Sequence, residues 1–201
     1  FPHLKCLYLY NMNNLVEWME AEATEGEVLD VFPMLETLKI QNCYKLNRAP
    51  NYFPSLRQLV IENYRDGLYY QLKTPNKSHA LVLKDILSKA TTLSTLRIGG
   101  QAGLTSVSDV LAVHNSQNLK YLSLESCPHL LHLGDLHKLL SLEHLSVVRC
   151  PNLNAIDLIA PNDQQHLTSL RSLTIGQCNG LRGLPSEMVE LNTSLRELRL
   201  Y

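Results

Sequence analysis

Leu119-Lys120-Tyr121-Leu122-Ser123-Leu124-Glu125-Ser126-Cys127-Pro128-His129-Leu130 follows the spacing L-x-x-L-x-L-x-x-C-x-x-L residue for residue. The same spacing returns as Leu142, Leu145, Val147, Cys150 and Leu153, and as Leu170, Leu173, Ile175, Cys178 and Leu181. It also occurs earlier, as Leu35, Leu38, Ile40, Cys43 and Leu46. Looser copies begin at Leu4, Leu56 and Leu93, and a shortened one contains Leu195, Leu198 and Leu200. Internal periodicity of this kind marks a chain built by stacking one small unit.

Within each unit the alternation Leu122-x-Leu124 is a short strand, with successive side chains pointing to opposite faces. One such strand cannot bury itself. Stacked side by side, the copies merge their leucines into one core, and neighbouring strands satisfy each other's backbone hydrogen bonds. The expected fold is therefore an α/β solenoid, a leucine-rich-repeat horseshoe with a concave parallel β-sheet. Irregular loops and short helices would form its convex side. We expect one domain over residues 1–201, with strands near 4–9, 35–40, 56–61, 93–98, 119–124, 142–147, 170–175 and 195–200. Both ends fall inside the pattern with no polar capping repeat, so a piece of a longer chain is expected.

Acids and bases nearly cancel in these 201 residues, with a formal net charge of −1. No run of Lys and Arg points to nucleic acid or an anionic membrane. No apolar stretch approaches the ~20 residues of a membrane span. Four of the five cysteines, Cys43, Cys127, Cys150 and Cys178, share one place in the repeat. An even set of four would permit disulfides. Repetition at a core position accounts for them instead, as small apolar residues with a weak S–H donor for the adjacent backbone. Free thiols then argue for a reducing compartment.

The units differ in length. An acidic insertion, Glu17 to Glu27, lengthens the first and reads as a solvated loop, with contact to a basic partner as the sharper alternative. Phe1-Pro2, Phe32-Pro33 and Phe53-Pro54 each precede a strand, where the rings of successive repeats can stack in the core. In the third unit Tyr64 stands where cysteine is expected, and a long connection containing Tyr69-Tyr70 follows. Ser78 to Ala90 reads as an amphipathic helix, with Ser78 as N-cap and Leu83, Ile86, Leu87 and Ala90 on the face toward the core. Ser106 followed by Asp109 is a capping-box-like start to a short helix, and Leu184-Pro185 leads into another brief one.

Phosphate loops, dinucleotide turns and His-Glu-x-x-His helices are missing from the sequence, so an enzyme is not expected. His114, His129, His132, His137 and His144 gather mid-chain, but no second ligand pair accompanies them, and surface histidines are the expectation. The triplets Asn76-Lys77-Ser78 and Asn192-Thr193-Ser194 fit the glycosylation sequon, which has meaning only in a secreted chain.

The Cys-Pro-x-Leu endings at Cys127 and Cys150, the Phe-Pro-x-Leu-x-x-Leu openings at Phe32 and Phe53, and the uneven repeat lengths together resemble plant intracellular immune receptors. These are the nucleotide-binding leucine-rich-repeat disease resistance proteins of the coiled-coil type. The resemblance implies a sensor segment that recognises a pathogen or pest effector, or a guarded host protein. It also implies contact with the nucleotide-binding domain of the same receptor, which such repeats help to hold inactive. ATP or ADP would bind in that separate domain, and this segment would carry no cofactor. The implied location is cytoplasmic, and possible in the nucleus. The alternative is the substrate-recognition repeats of an F-box ubiquitin-ligase adaptor.

Family membership does not choose contact residues. The outward places around each leucine pair do, and they give Tyr8, Tyr10, Lys39, Glu62, Arg97, Tyr121, Glu125, His144 and Arg199 as candidates for protein binding. Tyrosine and arginine are the types that most often anchor interfaces.

Overall fold

The computed structural model describes residues 1–18, 31–64, 78–111, 117–156, 167–184 and 194–201. The acidic stretch from residue 19 onward, Tyr69-Tyr70, His114, the turn expected after Leu184 and most of both sequons lie outside these residues.

Eight short strands form one parallel sheet in chain order. They are β1 (Cys6–Tyr10), β2 (Thr37–Gln41), β3 (Gln58–Glu62), β4 (Thr95–Gly99), β5 (Tyr121–Glu125), β6 (His144–Val148), β7 (Ser172–Gly176) and β8 (Glu197–Leu200). Helix α1 spans Ser78–Leu87, and single 3-10 turns occupy Val107–Asp109 and Leu136–Lys138. Equivalent repeat positions pair in register, so Leu122 lies between Leu96 and Leu145, and Leu124 between Ile98 and Val147. This is the leucine-rich-repeat solenoid that the spacing predicts.

Each strand starts two residues later and, except for β8, ends one residue later than expected. The first leucine of each unit belongs to a turn, not to the strand. Its N–H bonds back three residues, as from Leu35 to Phe32 and from Leu56 to Phe53, and ladder pairing begins only beyond it. Those first leucines are nonetheless core residues: Leu35, Leu56, Leu93, Leu119, Leu142 and Leu170 are fully buried. Burying a leucine side chain contributes roughly 1.5–3 kcal/mol, and its repetition along the stack is the main stabilising term.

The cysteine column is as anticipated. All five thiols are free, and Cys43, Cys127 and Cys150 are buried while Cys178 is half-buried. Each of the four column thiols can donate to the carbonyl two residues back, Cys43 to Gln41 and Cys127 to Glu125 at 3.5 Å, Cys150 to Val148 at 3.6 Å, and Cys178 to Gly176 at 3.3 Å. In the fourth unit Gln101 takes over this place and donates through Nε2 to the Gly99 carbonyl at 3.0 Å. The position therefore requires a compact buried donor more than it requires sulfur.

Phe1, Phe32 and Phe53 stack in sequence with centroids 5.6 and 5.9 Å apart. Trp18, at the start of the acidic stretch, packs edge-on to Phe32 at 5.5 Å. Trp18 is thus part of the aromatic cluster, and the acidic residues that follow it lie outside the described residues. Helix α1 ends three residues before Ala90 and buries Val82, Leu83, Ile86 and Leu87 among the inward leucines, on the side opposite the open sheet face. Ser106 and Asp109 form the expected capping box, with the Ser106 N–H donating to Asp109 Oδ2 at 3.1 Å.

The residue after a strand repeatedly adopts left-handed backbone: Asn11, Asn42, Ser126, Arg149 and Gln177 have φ of 52–56° and Gly100 has 63°. Asparagine and glycine tolerate this region best. The turn brings the next N–H into the ladder, as from Arg149 to the Gly176 carbonyl at 2.9 Å.

Candidate functional site

All nine candidate residues lie on the open face of the sheet, in three rows fixed by the strand register. The first row includes Tyr121 and His144, the second Tyr8, Lys39, Arg97 and Arg199, and the third Tyr10, Glu62 and Glu125. A period of two in each strand suffices to place them there. Their environments differ, and they divide into an aromatic end and a charged centre.

At the aromatic end Tyr8 and Tyr10 stack with centroids 5.9 Å apart and a 5° interplanar angle, and both stay nearly half exposed, at 46 and 47%. Lys39 Nζ stands 5.3 Å from the Tyr8 ring centroid. A cation over a ring at an exposed site contributes roughly 0.5–1 kcal/mol, which holds the three side chains as one surface. Hydrogen bonding with the neighbouring Cys6 thiol raises the Tyr8 phenol above its ordinary value, so the ring remains neutral and a hydrogen-bond donor at physiological pH.

The centre is already paired internally. Gln41 Nε2 donates to Glu62 Oε2 at 2.7 Å, and Arg97 Nη2 lies 3.5 Å from Glu62 Oε1. Glu62 is only 8% exposed, so it is a buried anchor for its neighbours and not the accessible contact that its strand position suggested. Glu125 is ion-paired with Arg149, whose Nε also donates to Ser126 Oγ at 3.3 Å. Ser123, in the second row of the same face, is buried between Arg97 and Ser146. Tyr121 and His144 sit with ring centroids 6.0 Å apart, and Arg199 pairs with Glu197 at 2.7 Å.

Two residues of this face escaped the pattern argument. Tyr64 is too large for the cysteine column, and its ring lies instead over Gly99, where an added Cβ would meet the Tyr64 hydroxyl at 2.3 Å. Burial first, and then the Glu62 carboxylate, push the Tyr64 phenol well above its ordinary value. Arg149 reaches the face from the left-handed turn after β6. A tyrosine at a small-residue position opposite a glycine was the available signal for Tyr64, whereas nothing in the repeat spacing points to Arg149.

Among the described residues, no group of three His, Cys, Asp or Glu side chains is placed to hold a metal ion. No helix among the described residues is long and apolar enough to cross a membrane. No protein-family model matches the chain. Among solved structures, it is similar to the leucine-rich repeat domain of the type III effector XopL. The TM-score is 0.55 at 20% sequence identity, over 83% of this chain and 53% of that one. The fold is that of a leucine-rich-repeat domain. At this identity the likeness concerns the fold alone, and the chain spans about half the length of that neighbour.

Proposed function

We propose that this leucine-rich-repeat domain is a protein-recognition module that binds its partner on the concave sheet. The observation that carries the reading is the stacked, half-exposed Tyr8–Tyr10 pair with Lys39 over it. Apolar ring surface held in place on a sheet, with polar tips, gains contact area on binding without a large ordering cost. The charged centre supplies register more than affinity, since Glu62 and Glu125 already have cationic partners.

We further propose that the parent protein is a plant intracellular nucleotide-binding leucine-rich-repeat receptor. Its ligand would be an effector or a guarded host protein, and the repeats would help to hold the nucleotide-binding switch inactive from within the cytoplasm. The Cys-Pro-x-Leu endings, with their thiols free, and the Phe-Pro openings, with their rings stacked, support this reading.

The test is capture of host and effector proteins on the immobilised chain, compared with a variant carrying Tyr8→Ala, Tyr10→Ala and Lys39→Ala. Arg97 is left intact because removing it would strand the buried Glu62 carboxylate. Loss of an anchor of ~2 kcal/mol weakens a purified partner about thirtyfold. A partner that binds the variant undiminished refutes the concave reading. A full coding sequence without an upstream nucleotide-binding domain refutes the receptor assignment.

A further inference from the structure

Along the strand-entry edge of the sheet, one residue per repeat occupies the place just after the first leucine. Lys5 pairs there with Glu36 at 3.5 Å, and Lys120 with Glu143 at 3.0 Å. The pattern then becomes unbalanced. Arg171 also reaches Glu143, at 3.5 Å, and Arg196 follows at the same place in the next repeat. Lys120 and Arg171 thus share one carboxylate, and Arg196 adds a third cation to the same edge with no carboxylate paired to it among the described residues. The Arg196 N–H donates to the Arg171 carbonyl at 2.8 Å, so the two arginine backbones are adjacent, separated by about the ~4.8 Å strand spacing.

A second irregularity falls at the same spot. The residue just before the first leucine normally ties its repeat to the preceding one. Ser55 Oγ donates to the Pro33 carbonyl at 2.6 Å, Thr92 to Pro54 at 3.2 Å, Asn118 to Thr91 at 2.8 Å, and Ser141 to Gln117 at 2.6 Å. Ser169 holds the equivalent place, and among the described residues its hydroxyl makes no such bond. It lines a cavity of about 420 Å³ together with Glu143, Thr168, Arg171, Ser194 and Arg196.

We propose that this cavity, formed by Arg171, Arg196, Thr168 and Ser169 on the edge of the last three repeats, binds a phosphate group. Two guanidinium forks approach from neighbouring strands and can each take two oxygens of a tetrahedral anion, while the hydroxyls donate to the remainder. The surplus positive charge suits a dianion, because Glu143 is already shared between Lys120 and Arg171. The cavity is larger than inorganic phosphate and admits a phosphorylated side chain, so the phosphate can be free or carried by a protein. This site is separate from the concave face and does not depend on the function proposed for it.

The 201-residue chain, ¹⁵N-labelled, is titrated at pH 7.5 and constant ionic strength with sodium phosphate, with a phosphoserine tripeptide, and with sodium acetate as control. Saturable shifts of the Arg171 and Arg196 amides are expected for a phosphate ligand, with acetate at least tenfold weaker. Arg196→Gln should weaken phosphate binding about tenfold or more, the scale of a lost charge-assisted hydrogen bond. Arg57→Gln, which removes the same charge at the same repeat position before β3, should leave it within twofold. Tighter binding of the tripeptide than of inorganic phosphate assigns a phosphoprotein, and the reverse assigns free phosphate. The proposal is overturned if neither saturates, if acetate binds as well, or if Arg57→Gln weakens binding as much as Arg196→Gln. Both arginines are exposed, so unchanged circular dichroism is expected for each variant.

Discussion

Leu124 and Leu200 occupy the same place in the repeat, and substituting each by alanine should have very different costs. Leu124 is fully buried, flanked in the sheet by Ile98 on β4 and Val147 on β6, themselves 1 and 0% exposed. Leu200 is 52% exposed and has one sheet neighbour, Ile175. For Leu124→Ala the lost transfer energy adds to the energy of a cavity that packed neighbours on both sides cannot fill, about 3–5 kcal/mol. For Leu200→Ala about half the transfer term is absent from the outset and no closed cavity forms, leaving roughly 1 kcal/mol. The difference of at least ~2 kcal/mol is larger than the usual error of a denaturant extrapolation for one domain. Urea unfolding followed by far-UV circular dichroism measures it. Because each repeat touches only its neighbours, Leu124→Ala should also broaden the transition or divide it in two. Equal losses for the two variants, or less than about 1 kcal/mol for Leu124→Ala, would refute a core that is continuous across the stack.

Gly99→Ala forces the Tyr64 ring from its place, since the new Cβ would lie 2.3 Å from the Tyr64 hydroxyl, and should cost about 1–3 kcal/mol. Adding Tyr64→Ala should recover part of that loss, and a strictly additive pair in thermal unfolding would contradict the contact. Cys150, with hydrogen bonding to Cys127 foremost and burial adding to it, has its thiol pushed up to about 12, and burial raises the Cys43 thiol. At pH 7.5 a maleimide or disulfide reagent should therefore label the exposed Cys6 rapidly and the four column thiols only on unfolding, as peptide mass mapping would show. Glu143 is held below the ordinary carboxylate value, chiefly by its hydrogen bond with Lys120. A depressed folded-state value means that its stabilisation is complete above the unfolded carboxylate range and is lost as pH falls through the lowered value. In Lys120→Ala the Glu143 midpoint, followed by carbon NMR of the carboxylate, should move upward, and an unmoved midpoint would remove Lys120 as the cause.

The solenoid, the core columns and the identity of the outward rows were legible from spacing alone. A repeat with period-two strands leaves no other way to bury Leu35, Leu122 or Leu173. The capping box at Ser106 and the stacking of Phe1, Phe32 and Phe53 were legible for the same reason, because each depends on residues close in sequence or on the repeat itself. The strand starts were misplaced by two residues because leucine is equally suited to a turn and a strand once its side chain is buried.

What tertiary structure alone decided is which outward residues remain accessible. Strand alternation assigns Glu62 and Tyr10 to the same row, yet one is an internally paired, buried carboxylate and the other a half-exposed ring. That difference is set by what stands in the neighbouring repeats, Gln41 on one side and Arg97 on the other for Glu62, and by how far each side chain reaches across the sheet. Tyr64 over Gly99, Arg149 against Glu125, and the arginines around the Ser169 cavity arise in the same way. Local periodicity dictates backbone position and facing, because it acts through burial of apolar area. The pairing of long polar side chains depends on distances between stacked repeats, which no single repeat encodes.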